Sequence, residues 1–270
     1  MTVFAFSAHV GNEYNTLMVL AAATAFLLIL DLGRRILQGR RIAPTGWVGA
    51  FVTLGAIMTF LGGVMTVTWP LQQVAPNCCQ QDNIIFGEPV LGFGVTLLVG
   101  AYLLWRTARR RPVIRGGATS AATVTADPAA TVTADPAATV TADPVEQESF
   151  ASRLSAALQP LSWFVLALGL SLFAIAIAGV RFKLFAAPPT EPISGSVGNH
   201  PLVEAIFIST LYALMGIGAV LFPFFIRTLN RRLAKVIAVA WLIPGVTWLG
   251  FAALNYYTHV GSLVKHTGRF

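Results

Sequence analysis

The chain has 270 residues, of which 56% are hydrophobic and only 11% are charged. An ordinary soluble domain has roughly 25% charged residues, so this composition excludes a soluble globular protein with a normal surface. The formal net charge is +7, but the basic residues stand in short clusters between apolar runs. This pattern indicates a lipid bilayer rather than nucleic acid as the partner.

The predicted elements are six apolar segments, each long enough to cross a bilayer. A hydrocarbon core about 30 Å thick needs roughly 20 helical residues, and a helix satisfies its own backbone hydrogen bonds in lipid. In chain order the segments lie between Glu13 and Asp31, from Gly46 to Pro70, between Glu88 and Arg106, from Pro160 to Val180, from Glu204 to Arg227 and from Val236 to Tyr257. We therefore predict an all-α polytopic membrane protein with six transmembrane helices.

The basic residues predict the orientation of these helices. The stretch from Met1 to Asn12 has no Lys or Arg and no cleavage-type site, so we expect no removable signal peptide. Four basic residues follow the first segment, six separate the third from the fourth, and four join the fifth to the sixth, which puts 14 of 18 on one side. Because Lys and Arg are retained in the cytoplasm, we expect both termini outside the plasma membrane of a prokaryote.

Residues 107–158 differ in character from the rest of the chain. The octapeptide Ala-Ala-Thr-Val-Thr-Ala-Asp-Pro occurs three times in tandem, starting at Ala121, Ala129 and Ala137. Small side chains and regular prolines predict a disordered cytoplasmic linker, with threonine phosphorylation or partner docking as alternatives to a plain tether. It divides a first membrane half, 1–106, from a second, 159–270, each with three transmembrane helices.

The two halves contain an internal repeat with a constant offset of 116 residues. It pairs Pro44, Trp47, Leu54, Gly63, Val64, Asn83, Glu88, Leu98 and Gly100 with Pro160, Trp163, Leu170, Gly179, Val180, Asn199, Glu204, Leu214 and Gly216. Each unit is a helical hairpin, and both point the same way, so the fold contains two parallel-repeat hairpins plus the flanking first and sixth helices. Those two helices have the directions needed for a third hairpin, although no residue match supports it.

A rim of carboxylates is the candidate metal site. Glu13, Glu88 and Glu204 lie near the outer starts of the three descending helices, and His200 is close to Glu204 in sequence. Carboxylate and imidazole groups converging at one depth are suitable ligands for a divalent cation, which is the one cofactor these residues suggest. The alternative is that each Glu only stabilises the positive end of its helix dipole.

Cys78 and Cys79 are adjacent in the outer loop between the second and third segments, which does not fit a disulfide framework or a zinc site. A free pair, a bond to another chain and metal capture by two thiols all remain open. No haem-type pair, phosphate-binding loop or nucleophile-and-base arrangement is found in the sequence.

The middle of each span carries no ionisable residue, which disfavours a proton-relay transporter. A pathway for a neutral solute is still compatible, with the lining residues Thr59, Thr96, Thr210 and Tyr212. We interpret the span glycines as helix-packing positions; they are Gly62, Gly63, Gly92, Gly94, Gly100, Gly216 and Gly218. Trp241 and Trp248, seven residues apart, should share one face of a helix and contact lipid or a neighbouring helix.

From Asn83 to Pro89 the sequence reads Asn-Ile-Ile-Phe-Gly-Glu-Pro, followed by a glycine-rich span. Here the chain resembles a family of bacterial and archaeal multi-pass membrane proteins catalogued as domain of unknown function 981. The resemblance covers roughly Thr45 to Tyr257 and implies no activity or site.

The residues favour a non-enzymatic membrane protein. It would be a small carrier or an accessory subunit with an outward-facing Glu/His cation-binding rim, assembled with other membrane subunits or with copies of itself. The alternative is a membrane-embedded, metal-dependent enzyme or electron-transfer protein that uses the rim together with Cys78 and Cys79.

Overall fold

The computed structural model describes residues 11–40, 42–68, 83–109, 149–185 and 200–266, and these ranges contain six long α-helices but no strand. The helices are α1 (Gly11–Leu37), α2 (Pro44–Thr68), α3 (Glu88–Arg109), α4 (Phe150–Phe182), α5 (Pro201–Thr228) and α6 (Arg231–His266). A π-helical turn, Asn83–Gly87, leads directly into α3. All six helices are long and apolar enough to cross a membrane, which confirms the predicted fold class.

Three boundaries differ from the sequence predictions. Helix α4 begins at Phe150, inside the range assigned to the linker, because the Ser149 side chain caps it by accepting a hydrogen bond from the Ser152 backbone N–H. Helix α6 continues past Tyr257, and the π-helical turn Asn83–Gly87 extends the third helical region to a point before Glu88. The octapeptide repeats lie outside the described residues.

Glycines bring α2 and α3 together as an antiparallel hairpin. An added Cβ at Gly62 would lie only 2.6 Å from the backbone nitrogen of Leu91, and one at Gly94 would lie 2.6 Å from the backbone nitrogen of Thr59. Within lipid, helices associate by close packing rather than by the hydrophobic effect. The two backbones can therefore approach this closely because neither glycine has a side chain.

Helices α4 and α5 form the second hairpin with the same antiparallel direction. An added Cβ at Gly169 would lie 3.0 Å from the carbonyl oxygen of Gly216. Near one end of the hairpin, the Ser155 hydroxyl donates a hydrogen bond to the carbonyl oxygen of Ile226. The two hairpins predicted from the repeat are thus both present.

Helices α1 and α6 complete the bundle by packing against each other, as expected for a third hairpin. An added Cβ at Gly245 would lie 3.2 Å from Leu27, and α6 also packs on α5, where Trp241 Nε1 donates a 3.1 Å hydrogen bond to the carbonyl oxygen of Met215. Each helix contacts its neighbours in chain order, and contacts between α1 and either α3 or α4 are few. The result is a ring of six helices with space at its centre.

One end of the bundle, the arginine-rich end, carries the ends of α1 and α5 and the starts of α2 and α4. Arg35 lies over the ring of Trp47 at 5.7 Å, and Arg227 lies over the ring of Trp163 at 4.8 Å. Such pairs contribute about 0.5–1 kcal/mol at exposed sites. At the same end, the Asp31 carboxylate accepts a 2.8 Å hydrogen bond from Arg35 Nε.

Candidate functional site

The space at the centre of the ring is an apolar cavity of about 240 Å³, lined by residues of all six helices. Two of its described lining residues, Thr96 and Tyr212, carry hydroxyl groups. Thr96 Oγ1 donates to the carbonyl oxygen of Gly92 at 2.7 Å, and the Tyr212 hydroxyl donates to that of Ile85 at 2.9 Å. Both donors are therefore used within the protein, and the wall offers hydrocarbon almost everywhere.

Two facing stripes, one on α3 and one on α4, form the longest walls of the cavity. The α3 stripe consists of Pro89, Phe93, Thr96, Leu97, Gly100 and Leu104. The α4 stripe consists of Leu154, Leu158, Leu161, Val165, Leu168 and Leu172. The α4 spacing alternates between four and three residues, which keeps the whole stripe on one face of the helix.

Aromatic rings from α1, α5 and α6 complete the wall, and one of them reaches the α3 stripe. The ring of Phe26 in α1 stacks on Phe93 with centroids 4.8 Å apart, and it approaches Trp241 at 5.6 Å. Trp241 also contacts Phe222 of α5 at 5.9 Å. Ring pairs at these distances contribute about 0.5–1.5 kcal/mol beyond their burial, so this wall is a stable surface.

The two ends of the cavity are closed in different ways. Away from the arginine-rich end, Tyr212 stacks on Phe185 at 5.5 Å and meets Trp248 edge-on at 6.3 Å, while its hydroxyl holds the π-helical turn. Buried apolar side chains close the arginine-rich end: Leu32, Phe51, Leu104 and Leu154. In the part of the chain that the structure describes, these side chains bound the two ends of the cavity.

Gly100 marks the place where the cavity reaches the backbone of α3. An added Cβ at this position would meet nothing within 4 Å. The prediction that Gly100 is a packing glycine is therefore wrong, whereas Gly62, Gly92, Gly94, Gly216 and Gly218 do lie in close contacts.

The family model described as "Protein of unknown function (DUF981)" matches residues 12–262. The chain belongs to this family. The resemblance seen at Asn83 to Pro89 is thereby confirmed over a longer range than expected. No curated protein and no solved structure is found to match the chain, so the function of this DUF981 protein has to be argued from its own geometry.

The predicted metal ligands of the DUF981 chain stand at helix starts. Glu88 is exposed at the first position of α3, Glu204 is half-buried in the first turn of α5, and His200 is exposed just before that helix. Glu13 belongs to α1, but its side chain lies outside the described part. Among the side chains that the structure describes, no three His, Cys, Asp or Glu residues come together as metal ligands, and the rim stays a prediction. Cys78 and Cys79 lie outside the described residues.

Of the four residues of the DUF981 chain that were predicted to line a solute pathway, the structure places two at the cavity and two elsewhere. Thr96 and Tyr212 line the cavity, but Thr59 packs against Gly94 and Thr210 is exposed, with its hydroxyl bonded to the carbonyl oxygen of Ile206.

Trp241 and Trp248 are both buried and line the same cavity, so of the two predicted neighbours, lipid or another helix, they contact helices. The α3 and α4 stripes were missed because hydropathy cannot distinguish one face of a wholly apolar helix from another.

Proposed function

We propose that the protein is a non-enzymatic membrane carrier that binds an apolar molecule in the cavity at the centre of its six helices. The observation that supports this proposal is the cavity itself, with walls from every helix and hydroxyl groups already bonded to the backbone. A carrier needs a binding site within the bilayer, and this is the position of the cavity along the helices.

The size of the cavity supports occupation by a ligand. An enclosed core cavity destabilises a protein by about 24 cal/mol per Å³, so a space of 240 Å³ left empty and sealed from lipid would cost on the order of 6 kcal/mol. That is comparable with the total stability of a typical domain, about 5–15 kcal/mol. A bound molecule that restored the missing van der Waals contacts would offset most of this cost.

The chemistry of the wall selects an apolar ligand. The described residues that line the cavity include no Asp, Glu, Lys, Arg or His, so an ion would be buried without a partner, at a cost of several kcal/mol. Water needs two to four polar partners, and an apolar cavity of about 150 Å³ stays dry but binds benzene. The larger cavity of this protein is suited to a hydrocarbon.

We also propose that the arginine-rich end lies in the cytoplasm, with both termini outside. The distribution of Lys and Arg between alternate loops supports this orientation. The cation rim and an association with further subunits or a second copy remain compatible with the carrier.

Filling the cavity tests the proposed function. Gly100→Phe adds a ring where an added Cβ would meet nothing, and Gly250→Phe is a matched control because Gly250 is equally open but lies on the exposed surface of α6. The readout is fluorescence of a protein in which Trp47, Trp69, Trp105 and Trp163 are replaced by Phe. The remaining Trp241 and Trp248 both line the cavity.

Bromobenzene, a small apolar quencher, is titrated into this two-tryptophan protein in detergent. We expect saturable quenching in the parent and in Gly250→Phe, and at least fivefold weaker binding in Gly100→Phe. Equal quenching in all three proteins, rising linearly with bromobenzene, would show that the cavity is not a binding site.

A further inference from the structure

We propose that the ligand is one acyl chain of a membrane phospholipid, which enters the cavity sideways between α3 and α4 while its headgroup stays at the membrane surface. This inference rests on the proposed function and names the class of ligand and its route. Four features of the structure support it: the contact between α3 and α4, the exposure of their cavity-facing stripes, the shape of the cavity and the chemistry of its wall.

The seam between α3 and α4 is tight at one level and open at another. Leu168 of α4 fills the notch left by Gly92, since an added Cβ there would lie 2.6 Å from Leu168 Cδ2. Two turns further along α3, an added Cβ at Gly100 would meet no atom within 4 Å. Helices α3 and α4 therefore touch through a side chain at Gly92 and leave open space at Gly100. In the first hairpin, by contrast, the glycines bring two backbones together.

Parts of both stripes reach the surface of the bundle. Gly100 and Val165 are half-buried, although the stripe residues Leu97 and Leu104 on either side of Gly100 are buried. Each of the two half-buried residues has a more exposed apolar neighbour in sequence, Val99 at 39% and Phe164 at 46%. Helix α4 also has the least buried span of the six, with 17% of its most apolar window inside the protein. Its outer surface is therefore available to the acyl chains of the bilayer.

The residues that line the cavity extend over a long stretch of the helices. Its α3 stripe runs from Pro89 to Leu104, which is about 22 Å along a helix that rises 1.5 Å per residue. A volume of about 240 Å³ spread over that length is slender, so it suits one unbranched chain better than a compact ring system. In a bilayer, the phospholipid acyl chain is the abundant molecule of this form.

The free energy gained when a chain enters the cavity suits a ligand that exchanges with the bilayer. Lipid tails are as apolar as leucine, so moving a chain from the bilayer into the cavity gains packing contacts but no hydrophobic free energy. Among the lining residues that the structure describes there is no charged side chain to hold a headgroup, and the hydroxyls of Thr96 and Tyr212 are bonded to the backbone. An acyl chain can therefore enter and leave without breaking a polar interaction.

The two-tryptophan protein allows a direct test in vesicles of phosphatidylcholine whose acyl chains carry bromine, a contact quencher of tryptophan. Trp241 and Trp248 are only 6% and 8% exposed, so efficient quenching requires a chain inside the cavity. We expect emission to fall at least twofold relative to unbrominated vesicles in the parent and in Gly250→Phe. Gly100→Phe should recover most of that loss.

The route is tested by locking the contact between α3 and α4. A chain that moves sideways into the whole length of the cavity must part the Gly92–Leu168 contact as well as pass the open stretch near Gly100. Gly92→Cys with Leu168→Cys, in a protein with Cys78→Ser and Cys79→Ser, places two thiols across the α3–α4 contact. The control pair, Gly55→Cys with Leu98→Cys, lies across the contact between α2 and α3. After oxidation, quenching on mixing with brominated vesicles should become at least tenfold slower for the first pair and stay unchanged for the control, with the rate restored by reductant.

The outcomes separate this inference from the proposed function. Saturable quenching by bromobenzene without quenching by brominated lipid would overturn the acyl-chain ligand and leave an apolar carrier. Lipid quenching that is the same in Gly100→Phe and Gly250→Phe would also overturn it. Unchanged kinetics after closing the seam would overturn the route, and failure of bromobenzene and lipid alike would remove both proposals.

Discussion

Gly100 and Gly216 occupy equivalent positions in the two repeats, 116 residues apart, but their surroundings are opposite. An added Cβ at Gly100 would meet nothing within 4 Å, whereas one at Gly216 would lie 3.0 Å from the carbonyl oxygen of Gly169. The same residue therefore borders the cavity in the first half and packs two helices together in the second. The repeat explains why each half of the chain contains a hairpin. The two copies differ at this glycine, and only the copy in the first half borders the cavity.

This difference predicts opposite effects of one substitution. Gly100→Ala should keep or raise the melting temperature in detergent, because alanine favours a helix over glycine by about 0.8–1.0 kcal/mol and no atom is displaced. Gly216→Ala should lower it, because Gly169 must move by a few tenths of an ångström. A lower melting temperature for Gly100→Ala than for Gly216→Ala would contradict the assignment of Gly100 to the cavity.

The first hairpin should be sensitive to an added methyl group. Gly62→Ala would place a Cβ 2.6 Å from a backbone nitrogen of α3, and overpacking of this kind typically costs about 1–3 kcal/mol. Gly49→Ala, on the exposed face of the same helix and with nothing within 4 Å, is the control. Thermal unfolding should show a clear loss for the first variant alone, and equal stability of the two would argue against this helix contact.

The six spans and the two hairpins could be predicted because the bilayer imposes their length and composition and because the repeat contains rare matches. The pair Trp47 and Trp163 is one of them, and both lie beside an arginine at the same end of the bundle. The start of α4 was placed too late, since the polar first turns after Ser149 have no transmembrane signal although they form a good helix.

The cavity could not be predicted, for a physical reason. Phe164 is exposed and Val165 lines the cavity, yet both are apolar, so the periodic contrast that reveals a buried face in soluble helices is missing. The pairing of α1 with α6 could not be predicted from matching residues either. It depends on complementary shape, for example where Gly245 lies against Leu27.

Tyr212 should stabilise the turn that closes one end of the cavity. Tyr212→Phe keeps the ring but leaves the buried carbonyl oxygen of Ile85 without its donor, a change that typically costs about 1–3 kcal/mol. Tyr102→Phe, on the exposed face of α3, is the control. We expect faster backbone hydrogen exchange at 83–87 in the first variant only, and unchanged exchange there would show that this hydrogen bond does not hold the turn.

The carboxylate rim makes a separate prediction. If Glu88 and Glu204 help to hold a divalent cation, Mn²⁺ should raise the melting temperature of the purified protein, and Glu88→Gln and Glu204→Gln should each reduce that rise. Asp31→Asn, at the arginine-rich end, should not. If Mn²⁺ has no effect on the parent, the cation site is contradicted. The two carboxylates would then only stabilise the starts of their helices, by about 0.3–1 kcal/mol each.

The most direct test of an acyl chain in the central cavity is anomalous X-ray scattering from crystals grown in brominated phospholipid. We expect bromine density between the α3 and α4 stripes, beside Gly100 and Val165. Bromine density confined to the outer faces of the helices, with the cavity empty, would contradict it.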